Sequence, residues 1–273
     1  MYIACRSRSR AEAAIRNIKE SASPTNEGEI KFLLVDLADL RTVKPAVAAF
    51  AAQEKKLDVL WNNAGIGGAP VGEKTHQGIE MITGVNIVGH FLLTKLLLPY
   101  LVSAAKTAPE GSVRVIMYGS PVIEGFAPTS GVPTTELDNP TTNQIRNYAI
   151  SKTGNWFLAM EFDKRVRTEG IVCLGMNPGN LLTEIWGQGP LWGRVLLRPT
   201  MHPVVYGAYT ALWTGLGEQV GLEDGGRYAV PWGKWGTCSR VDLVDAMKSE
   251  KDGGTGEAER LWRWCEKITE EYA

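Results

Sequence analysis

A tyrosine and a lysine stand four residues apart in Tyr148-Ala-Ile-Ser-Lys152, a spacing that puts both side chains on one face of a helix. A free phenol has a pKa of about 10 and is a poor proton-transfer group near neutrality. An ammonium beside it favours the phenolate and lowers that value, which is what moving a proton to or from an alcohol oxygen requires. The pair alone says little, because tyrosine and lysine meet at this spacing in many helices. Its company gives it meaning. Asn62-Asn63-Ala64-Gly65 closes a strand-like run, Asn86 interrupts a long apolar helical stretch, and Ser120 follows the next strand-like run. Pro178-Gly179, with Thr183 beyond it, follows the one after. Each has a plain structural reading: a core asparagine tied to backbone, a turn serine before Pro121, an ordinary strand exit. Polar groups in series at strand ends, each needing a partner if buried, are better read together as one site.

The elements that must carry these residues alternate in type. Tyr2–Cys5, Ile30–Val35, Leu57–Trp61, Val113–Tyr118, Ile171–Met176 and Arg227–Val230 read as strands. Between them lie helical patterns: Ala11, Ala14, Ile15 and Ile18 with Ser9 and Glu12 as a capping box, then Val43, Val47 and Phe50 with Pro45 in the first turn. A long helix is expected over 78–98, closed by Pro99, and others over Asn147–Val166, Val204–Leu216 and at the C-terminus. Alternation of this kind gives a doubly wound α/β fold with a parallel sheet and helices on both faces. The near-continuous apolar run at Ile30–Val35 predicts a strand covered on both sides. Residues 1–273 are taken as a single domain, with 44% hydrophobic residues providing ample core. With 29 basic against 30 acidic residues the net charge is −1, which gives no pull toward nucleic acid. The apolar run Phe91–Leu98 is too short for a membrane span. Cys5, Cys173, Cys238 and Cys265 show no metal or disulfide spacing and read as reduced thiols of a cytoplasmic protein; no metal site is expected.

These motifs, in this order, resemble the short-chain dehydrogenase/reductase family along nearly the whole chain. Within it, Ala4-Cys5-Arg6-Ser7, Asp36-Leu37 and Trp262-Arg-Trp-Cys265 resemble the retinol-dehydrogenase-like branch and its fungal relatives, which suggests a place in secondary metabolism. The resemblance implies a Rossmann-type sheet and hydride transfer between a nicotinamide cofactor and a carbonyl or secondary alcohol. It implies Tyr148 as proton donor or acceptor, and Lys152 as the group that lowers its pKa and holds the nicotinamide ribose. Ser120 would bind the substrate oxygen, and Asn86 would anchor a water-linked proton path. Asp36 and Leu37 would meet the adenine, and Asn62, Ala64 and Gly65 would line the adenosine side. Pro178, Gly179, Leu181 and Thr183 would hold the carboxamide. A homo-oligomer is common in the family and is carried as analogy.

Cofactor choice has a more direct basis. An acid after the second family strand would bind a ribose 2′-hydroxyl and repel a 2′-phosphate. Here Arg6-Ser7-Arg8 has no acid before Glu12, and Arg6 suits a phosphate, so NADP(H) is expected. The family's opening strand and glycine-rich turn have no counterpart before Met1. The sequence therefore predicts a sheet lacking its first, central strand, with Tyr2–Cys5 unpaired on one side. Two readings follow: an oxidoreductase whose start lies upstream, or a truncated, non-catalytic binding or regulatory protein of the same body. Residues 183–203, with Trp186, Trp192 and Val195-Leu-Leu197, are expected to form a lid over a bulky apolar substrate.

Overall fold

The computed structural model describes residues 1–23, 28–183, 198–236 and 240–273. Among the described residues, seven strands form two sheets. β1 (Tyr2–Cys5) and β2 (Lys31–Leu34) pair in parallel, Tyr2 opposite Lys31. The other five, β3 (Val59–Asn62), β4 (Val113–Tyr118), β5 (Ile171–Met176), β6 (Tyr228–Val230) and β7 (Lys234–Trp235), lie side by side in chain order. All neighbours are parallel except the β6–β7 pair. β4 and β5 are the strands buried on both faces, and their residues are mostly apolar.

The helices are α1 (Arg8–Ser21), α2 (Val43–Ala51), α3 (Met81–Ala105) and two short turns, α4 (Val122–Phe126) and α5 (Thr134–Asp138). Then follow α6 (Gln144–Val166), α7 (Gly207–Leu216), α8 (Val241–Met247) and α9 (Glu257–Thr269). The largest core cluster joins Phe91 and Leu101 of α3, Phe157 and Phe162 of α6, Val115 and Met117 of β4, and Leu261 and Trp262 of α9. A second unites Leu33 and Val35, Val47 and Phe50 of α2, and Leu92 and Leu97 of α3. A third, on the opposite face, puts Ala211 of α7 against Ile116 and Leu174.

Among the described residues β1 pairs with β2 alone and β3 with β4 alone, as the sequence predicts for Tyr2–Cys5. Side chains hold the two sheets together instead. Phe50 stands edge-on between the Tyr2 ring, 5.2 Å away, and the Tyr100 ring, 5.5 Å away. The Tyr2 hydroxyl donates to Glu54 at 2.8 Å, and Lys31 pairs with the same carboxylate at 3.2 Å.

Four local expectations need correction. The cap of α1 is Ser7, which accepts from the Arg10 amide at 3.4 Å. Ser9 already lies in the first turn, and Glu12 pairs with Arg8 at 3.5 Å rather than closing a box. β2 is not covered on both faces, because it is an outer strand and Leu34 is 56% exposed. α3 does not stop at Pro99 but continues to Ala105. Leu101 and Ala104 remain buried beyond the proline, and that burial offsets the lost backbone bond. As a continuous helix, α3 is long and apolar enough to cross a membrane, although most of it is buried in the fold. The proposed lid core, 184–197, and Cys238 lie outside the described residues.

Arg114 of β4 is the main polar fastener of the sheet. Buried, it donates to the carbonyls of Gly111, Thr214, Gly217 and Val220 at 2.8–3.0 Å. It thus places a cation at the C-terminal end of α7, where the helix dipole favours one. Replacing it leaves four carbonyls without that donor, so Arg114→Leu should destabilise the chain by about 3 kcal/mol or more. The midpoint of urea unfolding measures this, and an unchanged midpoint would refute it.

Candidate active site

α6 carries the candidate pair because its start is fixed twice. The Asn143 side chain caps it, accepting from the Arg146 amide at 3.1 Å. Arg146 forks onto Glu136 of α5 at 2.8 and 2.7 Å. Tyr148 and Lys152 then stand one turn apart, with the Lys152 Nζ 5.7 Å from the Tyr148 ring centroid. The ammonium is only 6% exposed and donates to the Tyr118 carbonyl at the end of β4, at 3.2 Å. Asn155, a further turn along, donates to the same carbonyl at 2.9 Å; its own Oδ1 has no partner among the described residues.

Electrostatics in this arrangement run against the simplest sequence reading. Burial pulls Lys152 down from its ordinary 10.5 to about 8. Burial also raises the Tyr148 phenol above its usual value, while a hydrogen bond with the Ser120 side chain draws it back. Burial, not the neighbouring ammonium, therefore decides the direction of the Tyr148 shift, and Lys152 is engaged instead with the Tyr118 carbonyl. Ser120, just past β4, reaches the Tyr148 phenol. Its Oγ accepts from the Val122 amide at 3.3 Å, which leaves the hydroxyl proton available for donation.

Asn86 lies in a π-helical turn, Gly84–Val88, at the front of α3 and is completely buried. Its amide grips the Ile66 peptide from both sides, accepting at 2.9 Å and donating at 3.0 Å. It also donates to Ser151 Oγ at 3.0 Å, and Ser151 donates on to the Tyr148 carbonyl at 2.8 Å. The structure thus uses Asn86 as a brace between the Asn62–Gly65 segment and α6. Gly65 leaves a gap that a Cβ would crowd. A Cβ there would lie 3.1 Å from Asn86 Oδ1 and 3.3 Å from Lys152 Nζ.

The other candidates divide by exposure. Ala64 and Gly65 are exposed, and Arg6 is exposed at the end of β1 with no ion pair among the described residues. Asn62 is buried, its Nδ2 on Thr94 Oγ1 at 2.9 Å and its Oδ1 facing His90 Nδ1 at 3.0 Å. Leu37 is buried in the core, so only its backbone could meet a ligand. The Asp36 carboxylate accepts from the Ala38 amide at 2.9 Å and shapes the turn after β2. Pro178, Gly179, Leu181 and Thr183 are half-buried past β5. Leu181 bridges to His202, and Trp232 packs on Gly179, where a Cβ would meet its ring at 2.7 Å.

Sequence reasoning missed four residues here: His90, Ser151, Asn155 and Tyr228. His90 is the most informative. Its Nε2 lies 2.6 Å from the Ala64 carbonyl, and burial foremost, with the Lys152 charge, holds its pKa at about 4. The ring is neutral and carries one proton, which on Nε2 is donated to the Ala64 carbonyl. The signal was a histidine one turn after Asn86 on the same buried helix.

Known proteins share this architecture. Residues 1–120 match the family model described as short chain dehydrogenase. A short-chain dehydrogenase/reductase of Pestalotiopsis fici is 42% identical across 98% of this chain and 81% of its own length. Another, from Phomopsis amygdali, is 40% identical across 100% and 82%. Among solved structures, the NADPH-bound carbonyl reductase from chicken fatty liver superposes with a TM-score of 0.61 at 20% identity, covering 86% of each chain, a likeness of fold. The chain belongs to the short-chain dehydrogenase/reductase family.

Removing the Lys152 charge separates stability from chemistry. A buried ammonium pulled down from 10.5 to about 8 costs the folded state about 3 kcal/mol at neutral pH. Asn155 still serves the Tyr118 carbonyl in its absence. Lys152→Met should therefore melt at or above the wild-type temperature at pH 7; a lower melting temperature would contradict this account. The unfolded chain binds the extra proton between pH 8 and 10.5, so wild-type stability from this group should rise with pH across that window.

Proposed function

We propose that this chain transfers a hydride between NADP(H) and a carbonyl or secondary alcohol of an apolar small molecule. The observation that carries the reading is the convergence of the Ser120 side chain, which draws the Tyr148 phenol down in pKa, and the Lys152 Nζ, 5.7 Å from the Tyr148 ring centroid. A nicotinamide cofactor supplies the hydride carrier. The donor set supports its fit: the bare Gly65 leaves a space bordered by Asn86 Oδ1 and Lys152 Nζ, and two of the three ammonium protons remain beyond the bond to Tyr118.

In this reading Ser120 donates to the substrate oxygen and Tyr148 gives it a proton, or takes one in the reverse direction. Lys152 stabilises the phenolate and binds ribose hydroxyls. Asn86 and His90 fix the Ile66 and Ala64 peptides, so that Ala64 and Gly65 present a rigid edge to the adenosine side, with Asp36 and the Leu37 backbone at the adenine. Pro178, Gly179, Leu181 and Thr183 border the carboxamide. Arg6, exposed beside the capped start of α1, supports a 2′-phosphate and hence NADP(H) over NAD(H). Apolar substrates are supported by the aromatic wall behind Gly179, where Trp232 meets His202 at 4.9 Å and Tyr206 at 5.3 Å. Work on a single domain, in the cytoplasm, is part of the same proposal.

A second reading, a non-catalytic binding protein, is supported by the parted sheet, which leaves β1 and β3 each with one strand neighbour among the described residues. Calorimetry with NADPH, together with turnover of a model aldehyde, distinguishes the two. Tyr148→Phe should fold, bind NADPH as wild type does and lose turnover by at least about a hundredfold; an active Phe variant would refute the mechanism. Arg6→Asp should lower NADPH affinity by about tenfold and spare NADH, and equal losses would refute the 2′-phosphate assignment. Carbonyl reduction needs the Tyr148 phenol and the Lys152 ammonium, so the rate should fall as pH rises through about 8, where Lys152 loses its proton. A rate that climbs through that range would reverse the roles.

A further inference from the structure

Ser120 is fixed through its backbone by a residue from a distant part of the chain. The Tyr228 hydroxyl accepts from the Ser120 amide at 3.0 Å and donates to the Ser120 carbonyl at 3.2 Å. Tyr228 belongs to β6, which pairs with β5, so the phenol reaches the end of β4 across an intervening strand. Two glycines open that route. A Cβ on Gly175 would lie 2.9 Å from the Tyr228 ring, and a Cβ on Gly119 would strike the phenol oxygen. The ring is 7% exposed and packs on Trp156 with centroids 4.7 Å apart, so it has little freedom to swing away.

One phenol holding both the N–H and the C=O of a single residue fixes the peptides on either side of that residue, and with them the direction of its Cα–Cβ bond. We propose that Tyr228 is a positioning residue for the reaction, aiming the Ser120 hydroxyl at the point shared by Tyr148 and the substrate oxygen. The proposal rests on the reading of Ser120 as the group that binds that oxygen. Displacement of such a group by about 1 Å is enough to cost orders of magnitude in rate. The loss should appear in kcat, since the bond from Ser120 matters most as the oxygen gains or loses charge.

The test is the series Y228F, S120A and the double variant, each with NADPH and 4-nitrobenzaldehyde, with deuterium exchange at the Ser120 amide read in parallel. Y228F keeps the ring and its packing. It should lower kcat about tenfold in the wild-type background, leave the KM for NADPH unchanged, and add less than about twofold on top of S120A. The Ser120 amide should exchange slowly in wild type and quickly in Y228F. An equal loss from Y228F in both backgrounds would mean that it acts through general stability and would overturn the proposal. A full-speed Y228F beside a slow S120A overturns the proposal alone, whereas a full-speed S120A overturns the reading of Ser120 and the proposal with it. If Y228F fails to fold or the aldehyde is not reduced, wild-type exchange decides: a fast Ser120 amide overturns the proposal, and a protected one upholds it.

Discussion

Burying the Lys152 ammonium is the constraint around which the rest of the site is arranged. A cation at 6% exposure loses most of its hydration, and one carbonyl bond does not restore it. Its charge acts outward from there. It helps keep His90 neutral, against the pull of the Ala64 carbonyl, which favours the protonated ring. The same helix face supplies Ser151 and Asn155, so a polar seam runs along α6 through an otherwise apolar core. That seam is tolerable because nearly every group in it has a partner. The exception in the seam is the Asn155 side-chain oxygen, which has no partner among the described residues and lies one turn beyond the lysine.

The cost of this seam is met elsewhere, by apolar burial on both sides of the sheet. Phe91, Phe157 and Phe162 are fully buried in the cluster that supports α3 and α6, and a side chain of this size contributes about 1.5–3 kcal/mol when buried. The β1–β2 pair has a different anchor. With no strand pairing to β3, it rests on the contacts of α2 with α3, of which the Tyr2–Phe50–Tyr100 series is the aromatic part. The exposed arginine at the end of β1 thus has its position set by ring packing rather than by a continuous ladder of backbone bonds.

How much of this could be read from the sequence follows from what each signal depends on. The strands and α6 were legible because apolar periodicity reports burial directly: β5 is buried along its whole length, and β4 up to its last residue, Tyr118. The pairing of Tyr148, Lys152 and Ser120 was legible because a fixed helical spacing and a strand end place them without knowledge of the remaining fold. Helix ends were less so. Ser7 and Ser9 are equally good caps by type, and only the end of β1 at Cys5 decides between them. Pro99 is a stop signal in isolation, overruled by burial that comes from other parts of the chain. The direction of the Tyr148 shift was misjudged for a similar reason. Proximity to an ammonium can be read from spacing, whereas desolvation depends on everything that packs around the pair.

His90, Asn86 and Tyr228 share a property that makes such residues hard to find by composition. Each hydrogen-bonds main-chain atoms beyond a strand end: Ala64 and Ile66 after β3, and Ser120 after β4. Contacts of this kind do not depend on the side chain of the residue being held, so Ala64 and Ile66 carry no trace of them. The trace falls instead on residues that must stay small. Gly65 lies between Asn86 and Lys152, and Gly119 and Gly175 lie beneath Tyr228. Glycine at these points is fixed by close approach and not by turn geometry, since none of the three adopts a positive φ. A glycine in or just after a strand that needs no special backbone angle is therefore a sign of a side chain arriving from another element. In this fold those arrivals set the geometry of the candidate site.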